Sequence, residues 1–526
     1  MSRIKYPIGI QTFEIIRKEG YLYVDKTQFI HELVSTGKYY FLSRPRRFGK
    51  SLFISTLEAF FKGRRELFDG LAIDSLDWDW QEYPVIHIDL NGKEYREEIH
   101  LEQSLNENLI QYENQLGYSG EGKEADERLR TLIRTMQEKT GRNVVVLIDE
   151  YDQPILRALD DRELYEKFRS KLQAFYAGIK TMDRYIQFAM LTGISKFSKV
   201  SIFSGLNNLR DISLNLTYNS ICGITEKELT GYFSQSMKEM ADSQNVSSGE
   251  IHAQLKRNYD GYHFAAEGED VYNPFSLLNT FADMKISDYW FATATPNYLI
   301  RLLERSNFPI PEMDGYKCHE SLLTGSDIYL IDPIPIFFQS GYLTIKGYNS
   351  RFNEYVLGFP NSEVTEGFSV FLMNSYMHDR TAAYKINDFV KDVESGRADG
   401  FMKQLQSFTA DIPYDHITDG EKKRLTKGIK EVHYKNVMYV VFKLMGFYTH
   451  TEWRTSDGRI DLVVETPKYV YVIEFKIDST PEAALKQIDE KEYTLPFRTS
   501  GKKIFKIGAN FSTRSRRLSK WLIEED

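Results

Sequence analysis

With 526 residues, 42% of them hydrophobic, the chain is too long for one ordinary domain and rich enough in apolar side chains for several packed cores. Its net charge of −8 excludes a protein that coats nucleic acid over its whole surface, while leaving room for a local basic channel. Cys222 and Cys318 are far apart without metal-ligand spacing, so they read as buried apolar residues of a reducing compartment. Met1 to Pro7 carries no apolar signal region, and no later stretch approaches a membrane span. A cytoplasmic protein with no membrane partner is therefore expected.

In chain order, Tyr39–Leu42 is strand-like and a helix starts near Leu52. Pro84–Leu90 is a strand candidate, followed by helical spacing from about Glu94 to Asn114. Asn143–Asp149 is a near-continuous β-branched run, as in a strand buried on both faces. Leu164–Thr181 has a helical pattern, and Arg184–Thr192 is another buried strand. Strands alternating with helices imply an α/β fold with a parallel sheet. After about Thr225 the pattern becomes helical, with Thr225 as a cap. Tyr259–Phe264 is a turn, and Tyr272–Ser276 opens another helix. Gly341–Ile345 and Glu354–Gly358 form a small hairpin, and Tyr384–Thr426 is a polar helical connector. From about Lys430 the order is helix, strand, strand, helix, strand. The expected segments are 1–225, 226–345, 346–429 and 430–526.

The strand Tyr39–Leu42 leads into Arg44-Pro-Arg-Arg-Phe-Gly-Lys-Ser51, which ends in the Gly-Lys-Ser of a phosphate-binding P-loop. Loop amides and a helix N-terminus there offer fixed donors to a triphosphate. Residues Arg46, Arg47, Phe48, Gly49, Lys50, Ser51 and Leu52 are the ATP-binding candidates. Lys50 would reach the outer phosphates and the Ser51 hydroxyl would bind Mg²⁺. Arg44 stands where the usual pattern has its first glycine. The second element is Asp149-Glu150, ending the strand Val144–Ile148. Asp149 would hold the Mg²⁺ shell and Glu150 would be the general base, unless the pair merely caps a strand. Thr192, at the end of the next strand, either senses the γ-phosphate or caps that strand. Lys196, Lys199 and Arg210 follow, and one could act in a neighbouring subunit of a homo-oligomer.

The stretches RPRRFGKSLF, VVVLIDEYDQPI and LTGISKFSKVSIFSGLNNL, with Tyr23–Thr27, resemble the AAA-ATPase-like domain of a bacterial and archaeal family. YDGYHF, YNPFSLL and FFQSGYLTI fit the same resemblance, which covers about 340 residues. It implies an ASCE-type P-loop core, a helical or winged-helix-like lid, and ATP as cofactor. It also makes Arg44 a family form. Hydrolysis stays open, because Arg44 would have to adopt a turn that glycine adopts freely. Its guanidinium, like those of Arg46 and Arg47, either contacts phosphate or points to water. The resemblance places Asp25 and Lys26 on the adenine side; otherwise they form a salt-bridged helix start.

Asp457–Val464 and Tyr469–Lys476 read as two strands joined by Glu465-Thr-Pro-Lys468. Alternation puts Glu474 and Lys476 on one face, where Asp461 of the adjacent strand can meet them. Two carboxylates and a lysine on one face suit metal-assisted phosphodiester hydrolysis, with Mg²⁺ or Mn²⁺ on the acids. Gln487, in the helix pattern Pro481–Ile488, can project over the site, and Glu431 could complete the metal shell. The set resembles the PD-(D/E)XK nuclease superfamily: Asp461, Glu474 and Lys476 match its core, and Glu431 and Gln487 its flanking helices. Catalytic candidates are thus Glu150, Asp461, Glu474, Lys476 and Gln487. Metal candidates are Ser51, Asp149, Glu431, Asp461 and Glu474. His433, Lys491 and Arg498 are read as core, cap or solvated residues.

The combined expectation is an ATP-regulated, metal-dependent nuclease acting on nucleic acid, DNA before RNA. The alternative is an ATP-switched interaction module that binds nucleic acid or protein with little hydrolysis or cleavage.

Overall fold

The computed structural model describes residues 4–196, 208–294, 299, 302–303, 306, 308–324, 332–377, 389–410, 448–455, 458–512 and 517–526. The chain divides into two compact units, Met1–Leu302 with Asp314–Val364 and Leu303–Met313 with Thr365–Asp526.

The first unit is built on five strands: β1 (Tyr39–Ser43), β2 (Val85–Asp89), β3 (Val144–Asp149), β4 (Ile186–Gly193) and β5 (Arg210–Asp211). They pair in the order β2-β3-β4-β1-β5, all parallel. Every residue of β1 and β3 is buried, as their unbroken apolar runs require when both sheet faces are covered. Helices Glu98–Leu116, Ala125–Thr140 and Arg162–Thr181 pack Leu105, Leu129, Ile133 and Leu172 onto Ile86, Val146 and Ile148. On the other face lies helix Lys50–Phe61, whose Phe61 ring is 5.1 Å from that of Phe188. Each such side chain removed from water contributes about 1.5–3 kcal/mol. Because β4 lies between β1 and β3, the topology matches the expected ASCE-type core. Helix Ala125–Thr140 was not read from the sequence, although Leu129, Leu132, Ile133 and Met136 have its spacing.

Arg44 leaves β1 and turns inward. Its side chain is 1% exposed. The guanidinium donates to the carbonyl oxygens of Ser43 (3.0 Å), Ser213 (2.7 Å), Tyr218 (3.1 Å) and Asn219 (3.3 Å), and lies 4.2 Å from the Phe264 ring centre. Neither sequence-based alternative, phosphate contact or exposure to water, describes it.

Beyond the sheet, β6 (Ile224–Thr225) pairs with β7 (Val271–Tyr272), and helices Glu226–Gln244, Ser248–Tyr259 and Pro274–Asp283 pack around Phe233, Leu255 and Phe281. Thr225 and Glu228 form the capping box expected at that helix start. A three-stranded antiparallel sheet follows in the order β8 (Tyr316–His319), β10 (Glu354–Gly358), β9 (Thr344–Asn349). The hairpin's first strand begins later than the sequence suggests. Gly341, at φ 90°, ends helix Ile334–Gln339, and the Phe337 carbonyl accepts from Tyr342 and Leu343, so pairing starts at Thr344. The Glu363 carboxylate, fully buried, accepts from the Ser276 hydroxyl (2.8 Å) and the Trp290 amide (2.7 Å).

In the second unit, β11 (Tyr448–Thr455), β12 (Gly458–Glu465), β13 (Tyr469–Ile477), β14 (Lys503–Ser512) and β15 (Arg517–Glu525) form one sheet in chain order. Only the β13/β14 pair among these is parallel, and helix Pro481–Glu490 makes its crossover. The sequence reading expected three strands here; β11 and β15 are additional. Both lie at the edges of the sheet, where strands carry more polar and charged residues. Gly508 of β14, paired with Glu474, lies hard against the crossover helix. A Cβ there would collide with the Pro481 carbonyl and stand 2.9 Å from Leu485 Cγ.

Three stability outcomes follow from these contacts. Replacing Arg44 by the glycine of the common motif takes a donor from four carbonyls, of which, among the described residues, only that of Tyr218 keeps another, the Ile221 amide, so Arg44→Gly should lose roughly 3 kcal/mol in denaturant unfolding. Gly508→Ala should lose about 1–3 kcal/mol by overpacking and displace the helix that carries Gln487. Burial pushes Glu363 up to about 7 from 4.5. The native state therefore keeps a proton that the unfolded chain releases, and stability should fall as pH rises from 4.5 to about 7. Glu363→Gln should flatten that slope in unfolding titrations.

Candidate nucleotide and nuclease sites

At the C-terminal edge of the first unit's sheet, Ser43 pairs with Gly193, bringing the ends of β1 and β4 together beside the end of β3. Ligands of open α/β sheets bind at such edges. Left-handed backbone occurs at Arg47 (φ 66°) and Gly49 (φ 98°), while Arg44 is not among the positive-φ residues. The strain expected at Arg44 therefore falls at Arg47, whose guanidinium lies 4.9 Å from the Phe275 ring centre. No side chain caps helix Lys50–Phe61, so its first-turn amides suit an anion.

Lys50 is 3% exposed. Its Nζ donates to the carbonyls of Arg44 (3.1 Å) and Pro45 (3.3 Å) and sits 3.2 Å from Glu150 Oε1. Burial alone would raise the Glu150 carboxyl; Lys50, Gln153 and Arg46 outweigh it and leave the carboxyl below its ordinary range. Glu150 itself has φ 51°. Asp149 Oδ1 accepts from the Thr192 hydroxyl (2.5 Å) and the Glu150 amide (3.0 Å). Thr192 thus orients Asp149.

A cleft of about 360 Å³ opens over this edge. Arg46, Gly49, Lys50, Ser51, Glu150 and Arg157 are among its polar lining, and Pro7, Ile10, Leu52, Phe275 and Leu278 its apolar lining. Phe48 faces away, its ring 4.7 Å from that of Tyr262, so only its backbone can serve a ligand. Sequence reasoning missed Ile10, Arg157 and Phe275; YNPFSLL held the last of these but was read as a helix start and as part of the family resemblance, without a ligand role. Lys26 Nζ is 2.6 Å from Glu228, and Asp25 accepts from the amides of Thr27 and Ala72. Both are structural contacts. Lys196 is buried, 3.3 Å from Asp211, and Arg210 is exposed on β5; Lys199 lies outside the described residues.

In the second unit, β12 and β13 pair in a register that brings Asp461 beside Glu474. Asp461 Oδ2 accepts from the Phe475 amide (2.9 Å). Glu474 and Lys476 share a face, with Nζ to Oε1 at 3.1 Å. Gln487 bridges them: its amide nitrogen donates to Glu474 Oε1 (2.5 Å), and its carbonyl accepts from Lys476. Glu474 is 3% exposed, and its Oε2 is buried with no hydrogen-bond partner. Burial, reinforced by the Asp461 charge, pushes its carboxyl up to about 7. A desolvated oxygen beside a second carboxylate is the donor set a divalent cation fits. Among the described residues no cluster of three or more metal-binding side chains occurs; Glu431 and His433 lie outside them. Arg498 pairs with Asp526 at 2.9 Å, and Lys491 is an exposed helix end.

Comparison with known proteins agrees with this geometry. Residues 7–203 match a family model described as a predicted AAA-ATPase, and residues 429–521 match the PD-(D/E)XK nuclease superfamily. These matches support nucleotide binding at the first site and nucleic-acid binding at the second. Among the described residues no helix is long and apolar enough to cross a membrane. Over 532 aligned residues the chain is 38% identical to an Azotobacter chroococcum mcd 1 protein described as "Uncharacterized protein in vnfD 5'region", covering 100% of this chain and 99% of that one. The chain belongs to the same family as that Azotobacter protein, and joins a predicted AAA-ATPase domain to a PD-(D/E)XK nuclease superfamily domain.

Proposed function

We propose that the protein is a metal-dependent nuclease whose action is governed by ATP bound and hydrolysed in the first unit. The observation that carries the nuclease reading is the buried, unpartnered Oε2 of Glu474 beside Asp461, on the face that also presents Lys476. Asp461 and Glu474 would hold Mg²⁺ or Mn²⁺, with Glu431 as a further ligand. A divalent ion there supplies Lewis-acid polarisation of the phosphodiester and lowers the pKa of bound water. The chain's own part is positional. Gln487 fixes one oxygen of Glu474 and the amine of Lys476, leaving that amine able to offset charge on the scissile phosphate. DNA is put before RNA on fold-level analogy.

In the first unit, the helix amides and Lys50 would bind the triphosphate, and Ser51 and Asp149 would hold its Mg²⁺. Glu150, lining the cleft, would take the proton of the attacking water. The low carboxyl pKa keeps it ionised, although its contact with Lys50 must loosen when phosphates draw the amine away. Regulation of the second site by the first is proposed from their presence in one chain.

The test uses the full-length protein with linear and circular DNA and RNA, Mg²⁺ or Mn²⁺, with and without ATP. Cleavage should fall about a hundredfold or more in Glu474→Gln and Lys476→Ala. Calorimetry should show lost Mn²⁺ binding in Glu474→Gln. Glu150→Gln should retain ATP binding but lose phosphate release by a similar factor. No cleavage by the wild type on any substrate, together with unchanged Mn²⁺ binding in Glu474→Gln, would sink the nuclease reading.

A further inference from the structure

Glu150 sits in a backbone conformation that a non-glycine residue seldom adopts, at φ 51°. Such a residue persists only where its surroundings over-determine it. The residues just after it supply that constraint. Asp152 is fully buried, and its carboxylate accepts from the Ser195 amide (2.6 Å), the Ser195 hydroxyl (2.6 Å) and the Ile194 amide (3.1 Å). Tyr151 adds two contacts to the same segment: its amide donates to the Thr192 carbonyl (3.0 Å), and its hydroxyl to the Ser195 carbonyl (2.8 Å). The two segments touch so closely that a Cβ on Gly193 would stand 2.6 Å from Asp152 Oδ1. The turn carrying Glu150 is therefore fastened to the segment that follows β4, the strand that also carries the Thr192 hydroxyl bound to Asp149. Donors converging on one buried carboxylate form charge-assisted bonds, stronger than neutral ones.

We infer that Asp152 is a positioning residue for ATP hydrolysis, locking the Glu150 turn to the segment after β4 so that the Glu150 carboxylate faces the cleft. The inference rests on the ATPase reading above. Asp152 does not line the cleft and acts through Glu150. In Asp152→Asn the shape is kept, but an NH₂ group replaces an oxygen where only donors arrive. Relaxing the turn moves Glu150 by a fraction of its reach, and misplacement of about 1 Å can cost roughly a hundredfold in rate.

The experiment measures ATP affinity by calorimetry and steady-state phosphate release for the full-length wild type, Asp152→Asn, Ser195→Ala, Glu150→Gln and the Asp152→Asn/Glu150→Gln double variant. The expected result is a kcat loss of roughly a hundredfold in Asp152→Asn, a smaller loss in Ser195→Ala, and ATP affinity within about threefold of wild type. In the Glu150→Gln background, adding Asp152→Asn should slow the residual rate no further, because the group it positions is gone. An unchanged kcat in folded Asp152→Asn, or an equal further loss in the Glu150→Gln background, overturns the inference while leaving the ATPase reading intact. If Asp152→Asn does not fold, the graded loss in Ser195→Ala decides: kcat equal to wild type overturns the inference. A wild type that binds ATP without releasing phosphate overturns the ATPase reading, and the inference with it.

Discussion

The buried guanidinium of Arg44 is the constraint on which the nucleotide site is built. A buried cation is expensive unless its donors are met, and here backbone carbonyls from β1 and from residues 213–219 meet the two terminal nitrogens, while Nε is buried without a hydrogen-bond partner. The interaction joins the start of the loop to a segment far away in sequence. It leaves the bending to Arg47 and Gly49, where the backbone is left-handed. A glycine at the first motif position is commonly needed so that a loop can turn; this loop turns elsewhere and uses the position as an anchor. The residue that departs from the usual motif is a different way of holding the same curve.

From that anchor the polar machinery reads as a chain of dependent contacts. Lys50 is steered by two loop carbonyls toward Glu150, and Asp149 is steered by Thr192. The second unit uses a similar economy: Gln487 satisfies one oxygen of Glu474 and one proton of Lys476. In both places a neutral or opposite group fixes a charged one in a dry setting, where fixed dipoles count for more than in water.

The parallel sheet was legible because its strands are buried on both faces and so appear as apolar runs; β1, β3 and β4 all declared themselves this way. The placement of Asp461, Glu474 and Lys476 together was legible because a period of two puts alternate residues on one face. Helix Ala125–Thr140 was hidden by its polar majority, and β15 by its edge position, where polar residues are favoured. The inward turn of Arg44 could not be read, since its acceptors are backbone atoms that carry no residue-type signal. The same holds for Asp152, whose partners are mostly amides, and for Gly508, whose role depends on a helix passing over it.

The unpartnered oxygen of Glu474 also bears on how the second unit persists in solution. A desolvated carboxylate oxygen without a donor lowers the stability of the ion-free fold, and anything that binds it only when folded shifts the equilibrium by mass action. If a divalent cation binds there as proposed, the lifetime of the ion-free protein and its resistance to proteolysis are tied to the free concentration of that cation. For this unit, ion supply would then be a determinant of abundance as well as of rate.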